Sequence, residues 1–368
     1  MKFFCNPKEL IYSTSIVQKA VSSKTTLPIL KGIFLEAFDQ NLRLVTTDME
    51  LGIDHVMEAN IIKEGSVVVD AKLFGEIVRK LPDSEVEISL KDNSELLIKC
   101  ASVKFNILSY NPSEFPELPK IKEEQVYEVP QGLFKNMIRQ TVFATAEDET
   151  RPILTGVLME IEKDMLNMVA LDGYRVALRK GRIKSELCNK VVVPGKTLNE
   201  INHIMSEEED EKIKISLTNN HALFTINNTK LISRLLEGEF INYNQVIPKE
   251  YSSRVKVETG QLLDSIERAS LLGREGHNNL VKFTFTDGKM IINSNSELGN
   301  VHEEIEIEYE GEDLQIAFNS KYFIDALRVV NDDFIYLEFT TALSPGIIKP
   351  VSNDNIIYLI LPVRLASY

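Results

Sequence analysis

Three times along the chain, a short run of alternating apolar and polar residues leads through a turn into a stretch with apolar residues three and four apart. The runs are FFCNPKELIYSTSIVQKAV from Phe3, YEVPQGLFKNMIRQTVFAT from Tyr127 and VKVETGQLLDSIERASLLG from Val255. Alternation has the period of a half-buried strand, and the 3–4 spacing, as at Leu133, Met137, Ile138 and Val142, has the period of a helix. A second strand-and-helix signal follows in each third of the chain. Helices are thus expected over 8–24, 72–81, 131–142, 195–205, 259–274 and 319–330. The segments between them read as strands joined by tight turns. Two helices against many strands define a mixed α+β domain with largely antiparallel sheets.

The pattern is a repeat. RPILTGVLME, Arg151 to Glu160, echoes LPILKGIFLE, Leu27 to Glu36, at a shift of 124 residues, and both phrases read as strands. At the same shift LVTTDMEL from Leu44 meets MVALDGYR from Met168, placing Asp48 on Asp172. VVVDAKLFGEIVRKL from Val67 then meets VVVPGKTLNEINHIM from Val191, placing Lys72 on Lys196. Matches in one unbroken register are the mark of internal duplication. A fainter third copy runs through IINSNSEL from Ile291 and IAFNSKYFIDALRVV from Ile316, where Lys321 lies 125 residues after Lys196. Pro-bearing segments, NPSEFPELPK at Asn111 and GEFINYNQVIPKE at Gly238, read as linkers. The domains expected are 1–121, 122–249 and 250–368.

Composition changes this picture mainly through charge. The net charge is −14, which on its face argues against nucleic acid. The six expected helices nevertheless hold thirteen basic residues against six acidic ones, so the sheets and loops carry the acid. A basic surface on an acidic body suits a polyanion admitted to one face and repelled elsewhere. No base-reading motif accompanies it, so contact with phosphate indifferent to sequence is expected.

Geometry sharpens the expectation. A domain of this length is a ball roughly 35 Å across, and three in a ring leave a hole only about 5 Å wide. Six leave about 35 Å, enough for a duplex needing roughly 20 Å. Two chains joined head to tail close such a ring.

Three well-separated cysteines, Cys5, Cys100 and Cys188, offer neither a disulfide framework nor a metal pair. Five scattered histidines lack ligand spacing, and there is no phosphate loop or nucleophile elbow. No cofactor, metal or catalytic residue is expected. Asp48 and Asp172 read as turn formers. No apolar run approaches eighteen residues, and MKFFCNPKEL lacks a signal-peptide core, so a cytoplasmic protein without a membrane partner is expected.

Taken in order, TLPIL, TTDMEL, ETRPILTGVL, ALDGYR, FNSKYFIDAL and YLILPVRL resemble the β sliding clamp family of bacterial DNA polymerase III. The likeness runs the length of the chain. It implies three domains of one fold and a head-to-tail homodimeric ring, helices inside, that holds double-stranded DNA topologically. It also implies a pocket for short QLxLF-type peptides from replicative polymerase, clamp loader and repair proteins. Carried over, that pocket comprises Leu154, Leu171, Gly173, Tyr174, Arg175, Pro248, Leu359, Leu361, Pro362, Val363 and Arg364. Apolar walls would take the peptide's Leu and Phe, while Arg175, Arg364 and backbone groups fix its register. The resemblance further gives Lys24, Lys72, Arg79 and Lys196 as DNA contacts, and Phe105 and Ile107 against Leu271 and Leu272 as the dimer seam. Leu171 and Tyr174 stand where the family can carry Thr and His, and Ala366 to Tyr368 extend past its usual end. Asp148 occupies a position where a polar DNA contact is expected. Two rival readings remain: a peptide-binding scaffold that does not encircle DNA, and a nuclease using acidic clusters such as SEEEDE at Ser206.

Overall fold

The computed structural model describes residues 1–368 other than 23–24, 92–93, 123–124, 149, 207–210, 276–278, 287 and 365–368, and only the backbone of 273–275. Among the described residues the α-helices are α1 (Pro7–Val17), α2 (Ala71–Val78), α3 (Gln131–Arg139), α4 (Gly195–Ile204), α5 (Thr259–Glu275) and α6 (Ser320–Leu327). Side-chain caps start three of them. Asn6 accepts from the Lys8 amide at 2.9 Å, Asp70 from Leu73 at 2.7 Å and Asn319 from Lys321 at 3.0 Å. Most helices are shorter than the apolar periodicity predicts. After α1 the chain tightens into the 3₁₀ turn Gln18–Ala20 and then extends at Val21. After α3 a second 3₁₀ turn, Val142–Ala144, takes up the apolar residues that continue the helical spacing.

The repeated phrases are not strands throughout. Pro28–Lys31 and Pro152–Thr155 are 3₁₀ turns, because proline at their first position fixes φ and lacks the amide a ladder needs. The strands begin at Gly32 and Gly156. A β-carbon at Gly32 would collide with Val68 Cγ1, and one at Gly156 would stand 2.7 Å from Val192 Cγ1 and 2.8 Å from the Val193 carbonyl oxygen. The repeated glycine is therefore a packing requirement where turn and strand cross.

Pairing follows the sequence repeat residue by residue. In the first repeat Phe34 sits between Val45 and Val68; in the second, Leu158 sits between Val169 and Val192; in the third, Phe283 sits between Ile292 and Ile316. All pairs are antiparallel.

The chain divides into two compact units that cut across the three repeats: 1–132 with 200–235, and 133–199 with 236–368. Sheet continuity explains the division. In the first unit, Leu51–Glu58 of repeat one pairs with Thr229–Arg234 of repeat two inside a thirteen-stranded sheet. In the second unit, Arg175–Arg182 of repeat two pairs with Ile356–Ile360 of repeat three inside a nine-stranded sheet. The same joint is thus made twice. A four-stranded sheet completes the second unit.

The first unit's joint is reinforced by polar contacts. His55, on Leu51–Glu58, is buried with Nδ1 2.8 Å from Thr229 Oγ1 and Nε2 3.0 Å from Ser13 Oγ. Lys19 reaches Glu200 at 3.2 Å.

Candidate partner and nucleic-acid sites

The second unit gathers the residues expected of a peptide pocket. Leu154 arrives from the 3₁₀ turn, Leu171 from the end of Met165–Leu171, and Leu359 from Ile356–Ile360; all three lie in one apolar cluster. Each is nearly sealed, at 3%, 3% and 1% exposure, so they form a floor rather than open walls. Leu361 and Val363 stand exposed beside it at 37% and 40%. Their backbone is fixed. The Leu361 amide donates to the Tyr174 carbonyl and the Val363 amide to the Ala317 carbonyl, each at 2.8 Å. Pro248 and Pro362 are half-buried and Arg364 is exposed.

Cluster members absent from the sequence-based set include Val176, Leu178 and Ile347, with Val192, Phe240, Tyr243 and partly buried Ile247. Their signal was present in the repeat. Val176 and Leu178 alternate on the strand that follows ALDGYR, but nothing in one strand reveals which neighbouring strand it will meet.

Arg175, expected among the polar anchors of the pocket, is engaged within the chain. Its guanidinium is buried, donating to Asp172 Oδ2 at 2.9 Å, Asp325 Oδ2 at 2.6 Å and the Phe143 carbonyl at 2.7 Å. Phe143 and Tyr322 flank it at 5.4 and 4.7 Å. Those partners make it a bolt that holds the 172–175 turn to α6. Asp172 shapes the same turn, its Oδ1 accepting from the amides of Tyr174 and Arg175. Gly173 adopts φ +93° with open space where a side chain would stand, and Tyr174 is exposed and stacked on Tyr322. The matching turn in repeat one puts Met49 at φ +77°, a left-handed position that disfavours its side chain.

Among the DNA candidates, Lys24 lies outside the described residues. Lys72, on α2, and Arg79, its C-cap residue, are both exposed, seven residues apart and so on one face. Lys196 is exposed on α4. Lys72, Lys196 and Lys321 are each the second residue of their helix, where the positive end of the helix dipole disfavours a cation by about 0.3–1 kcal/mol. Helix stability does not account for a lysine kept at that place in all three repeats. The helical charge surplus is smaller in the folded chain than in the count. Lys8, Arg268 and Lys321 face Asp83, Glu303 and Glu147, acids outside the helical count, within 4 Å.

The seam residues fall on two different surfaces. Phe105 is half-buried and Ile107 buried, because both point to the core side of Val103–Tyr110; Leu108, at 74%, and Tyr110 are exposed there. Leu271 is exposed on α5 and Leu272 half-buried. Among the described residues no group of three or more His, Cys, Asp or Glu side chains is arranged to hold a metal ion, and no helix is long and apolar enough to cross a membrane. Burial pushes the Cys5 thiol up to about 12.

A repeated α+β fold whose neighbouring repeats share sheets, with an apolar cluster at one joint, is the architecture of a replication clamp subunit. Three family models match in order: the DNA polymerase III beta subunit N-terminal domain over 1–119, its central domain over 128–242 and its C-terminal domain over 244–364. The chain belongs to the DNA polymerase III beta subunit family. It is 39% identical to the beta sliding clamp of Bacillus subtilis over 377 residues, covering 99% of this chain and 100% of the relative. It is 40% identical over 379 residues to the beta sliding clamp of Halalkalibacterium halodurans, with the same coverage. The crystal structure of the Bacillus subtilis DNA polymerase sliding clamp superposes with a TM-score of 0.97 at 38% identity over all of both chains. That of the Thermotoga maritima beta subunit superposes with a TM-score of 0.93 at 31% identity, over 99% of this chain and 100% of that one.

Proposed function

We propose that this chain is a DNA sliding clamp, two copies of which close head to tail around a duplex and tether the replicative polymerase. Membership of the family supports the clamp; the twice-made joint supports the closure. Repeats one and two, and two and three, are sewn by equivalent strand pairs. At the offset of 124, the strand corresponding to Arg175–Arg182 is Gly299–Glu306, which among the described residues pairs only with Lys289–Ser296 and ends its sheet. In repeat one, Val103–Tyr110 follows Glu95–Cys100 as Thr229–Arg234 follows His221–Ile226, each through a turn with a left-handed residue, Ala101 or Asn227. Its other side is unpaired from Val103 to Leu108 among the described residues. Each end of the chain's series thus offers the half-joint that the other lacks. A second copy supplies both, the outcome heterologous association reaches when it closes.

On this reading the domains are 1–121, 122–249 and 250–368, and Phe105, Ile107, Leu271 and Leu272 support the seam. Lys24, Lys72, Arg79 and Lys196 meet phosphate. Leu361 and Val363 form the rim of a seat for short apolar peptides from polymerase, clamp loader and repair proteins, over the floor of Leu154, Leu171 and Leu359. The protein works in the cytoplasm and is not itself catalytic.

Loaded onto a nicked circle, the protein is expected to stay bound and to leave once the circle is cut, because a ring has no hold on a free end. Equal loss from circle and line overturns the reading. Removing residues from Leu361 onward is expected to abolish binding of a Gln-Leu-Asp-Leu-Phe peptide while sedimentation still reports a dimer.

A further inference from the structure

The first unit carries a counterpart of the peptide cluster. The repeat offset places Phe34, Val45 and Val68 on Leu158, Val169 and Val192, and these residues belong to a small cluster in the first unit and a larger one in the second. Gly52 falls on Val176. Gly52 pairs with Ile232 as Val176 pairs with Leu359, and Leu223 lies next to Ile232 as Ile347 lies next to Leu359. The linkers correspond too. EFPEL at Glu114 matches EFINY at Glu239, setting Phe115 on Phe240 and Leu118 on Tyr243.

The copies differ at one place. In the second unit Tyr243 turns its hydroxyl to Glu160 Oε2 at 2.6 Å, and Val176 supplies its own wall. In the first unit residue 52 has no side chain. Leu118 Cδ2 lies 2.5 Å from where a β-carbon would stand, so the linker fills the space that the strand leaves open. The strap that delivers it, residues 112–121, forms one side of a cleft of about 780 Å³ whose other side includes Phe34, Val45, Leu223 and Ile232. Pro112, Pro116 and Pro119 stiffen this strap, whereas the matching segment from Gly238 to Glu250 has Pro248 alone. A stiff tether holds its side chain near the seat at high effective concentration, which a peptide in solution cannot match.

We propose that the joint between the first and second repeats is a second seat for short Leu- and Phe-bearing peptides, kept closed by Leu118 as a built-in ligand. The proposal rests on the peptide-binding reading of the second joint, and the measurements separate the two.

Titration calorimetry with a Gln-Leu-Asp-Leu-Phe peptide is expected to give one site per chain for the parent. It should give two for Leu118→Ala, and one for Leu118→Ala truncated before Leu361. Leu118→Ala that melts cooperatively yet still binds one peptide, lost on truncation, overturns the second seat. A parent that binds none beside a Leu118→Ala variant that binds one removes the proposed site at the second joint and leaves this one standing; no binding in either removes both. A peptide-independent test uses Gly52→Val, which copies the second joint's wall. It should lower the melting temperature alone and be tolerated beside Leu118→Ala. An equal loss in both backgrounds overturns the claim that Leu118 fills this place.

Discussion

At the scale of single residues, the strongest constraints are two that sequence pattern renders as ordinary. Gly156 looks like a strand glycine, yet a methyl group there meets two side chains and a carbonyl oxygen within 3 Å. Gly156→Ala is expected to cost about 1–3 kcal/mol by overpacking. Gly260, in the first turn of α5, has only Glu258 Oε1 at 3.8 Å, so Gly260→Ala should be neutral or mildly stabilising. Parallel urea titrations compare the two. ALDGYR marks Arg175 as a candidate polar anchor, but the sequence does not say where its donors go. Asp325 comes from a helix 150 residues away, and a pair that distant has no local signature. Arg175→Ala leaves Asp172 and Asp325 without their cation and is expected to cost about 3–5 kcal/mol, read as a shifted urea midpoint.

At the scale of elements, helix and strand periods were largely legible and their ends were not. Proline and a capping Asx residue act over one turn, so they set where α1 and the 3₁₀ turns begin, against apolar spacing that continues past them. The lysine at the second position of three helices separates stability from function. Lys72→Gln is expected to leave thermal stability unchanged or raise it by up to about 1 kcal/mol, since it removes a cation from the positive helix end. The same change should weaken retention on circular DNA and flatten the salt dependence of binding by about one unit of slope if Lys72 neutralises a phosphate. A loss of both stability and retention would instead make Lys72 structural. The strand joint at His55 has its own pH signature. Desolvation by burial lowers the His55 pKa from its usual value, with Asp54 opposing. The unfolded chain then takes up the proton first, so stability holds above about pH 6.5 and falls as pH drops from there through the lower folded value. The slope is at most about 1.4 kcal/mol per pH unit, and His55→Gln should remove it from the acid side of a stability-versus-pH curve.

At the scale of the whole molecule, the three repeats were legible because the register between repeats one and two holds at 124 from Leu27 to Leu81, shifting by one or two residues only further along. Their fusion was not. Strand pairing between repeats leaves no periodic mark, since Leu51–Glu58 alternates in the same way whether its neighbour is Thr229–Arg234 or water. The cleanest breaks in the sequence, the proline-bearing linkers, are therefore not the cleanest breaks in the structure. This bears on what a fragment can do. The middle repeat expressed alone would present two raw strand borders, Arg175–Arg182 and Thr229–Arg234, each built to be covered by a neighbour. Such borders recruit other strands. A fragment of residues 122–249 is expected to multiply into concentration-dependent chains by light scattering, while the intact 368-residue protein stops at a fixed size. The joints that make the clamp are also growth points, held from propagating by enclosure within the polypeptide where repeats meet and, on the proposed reading, by ring closure at its two ends.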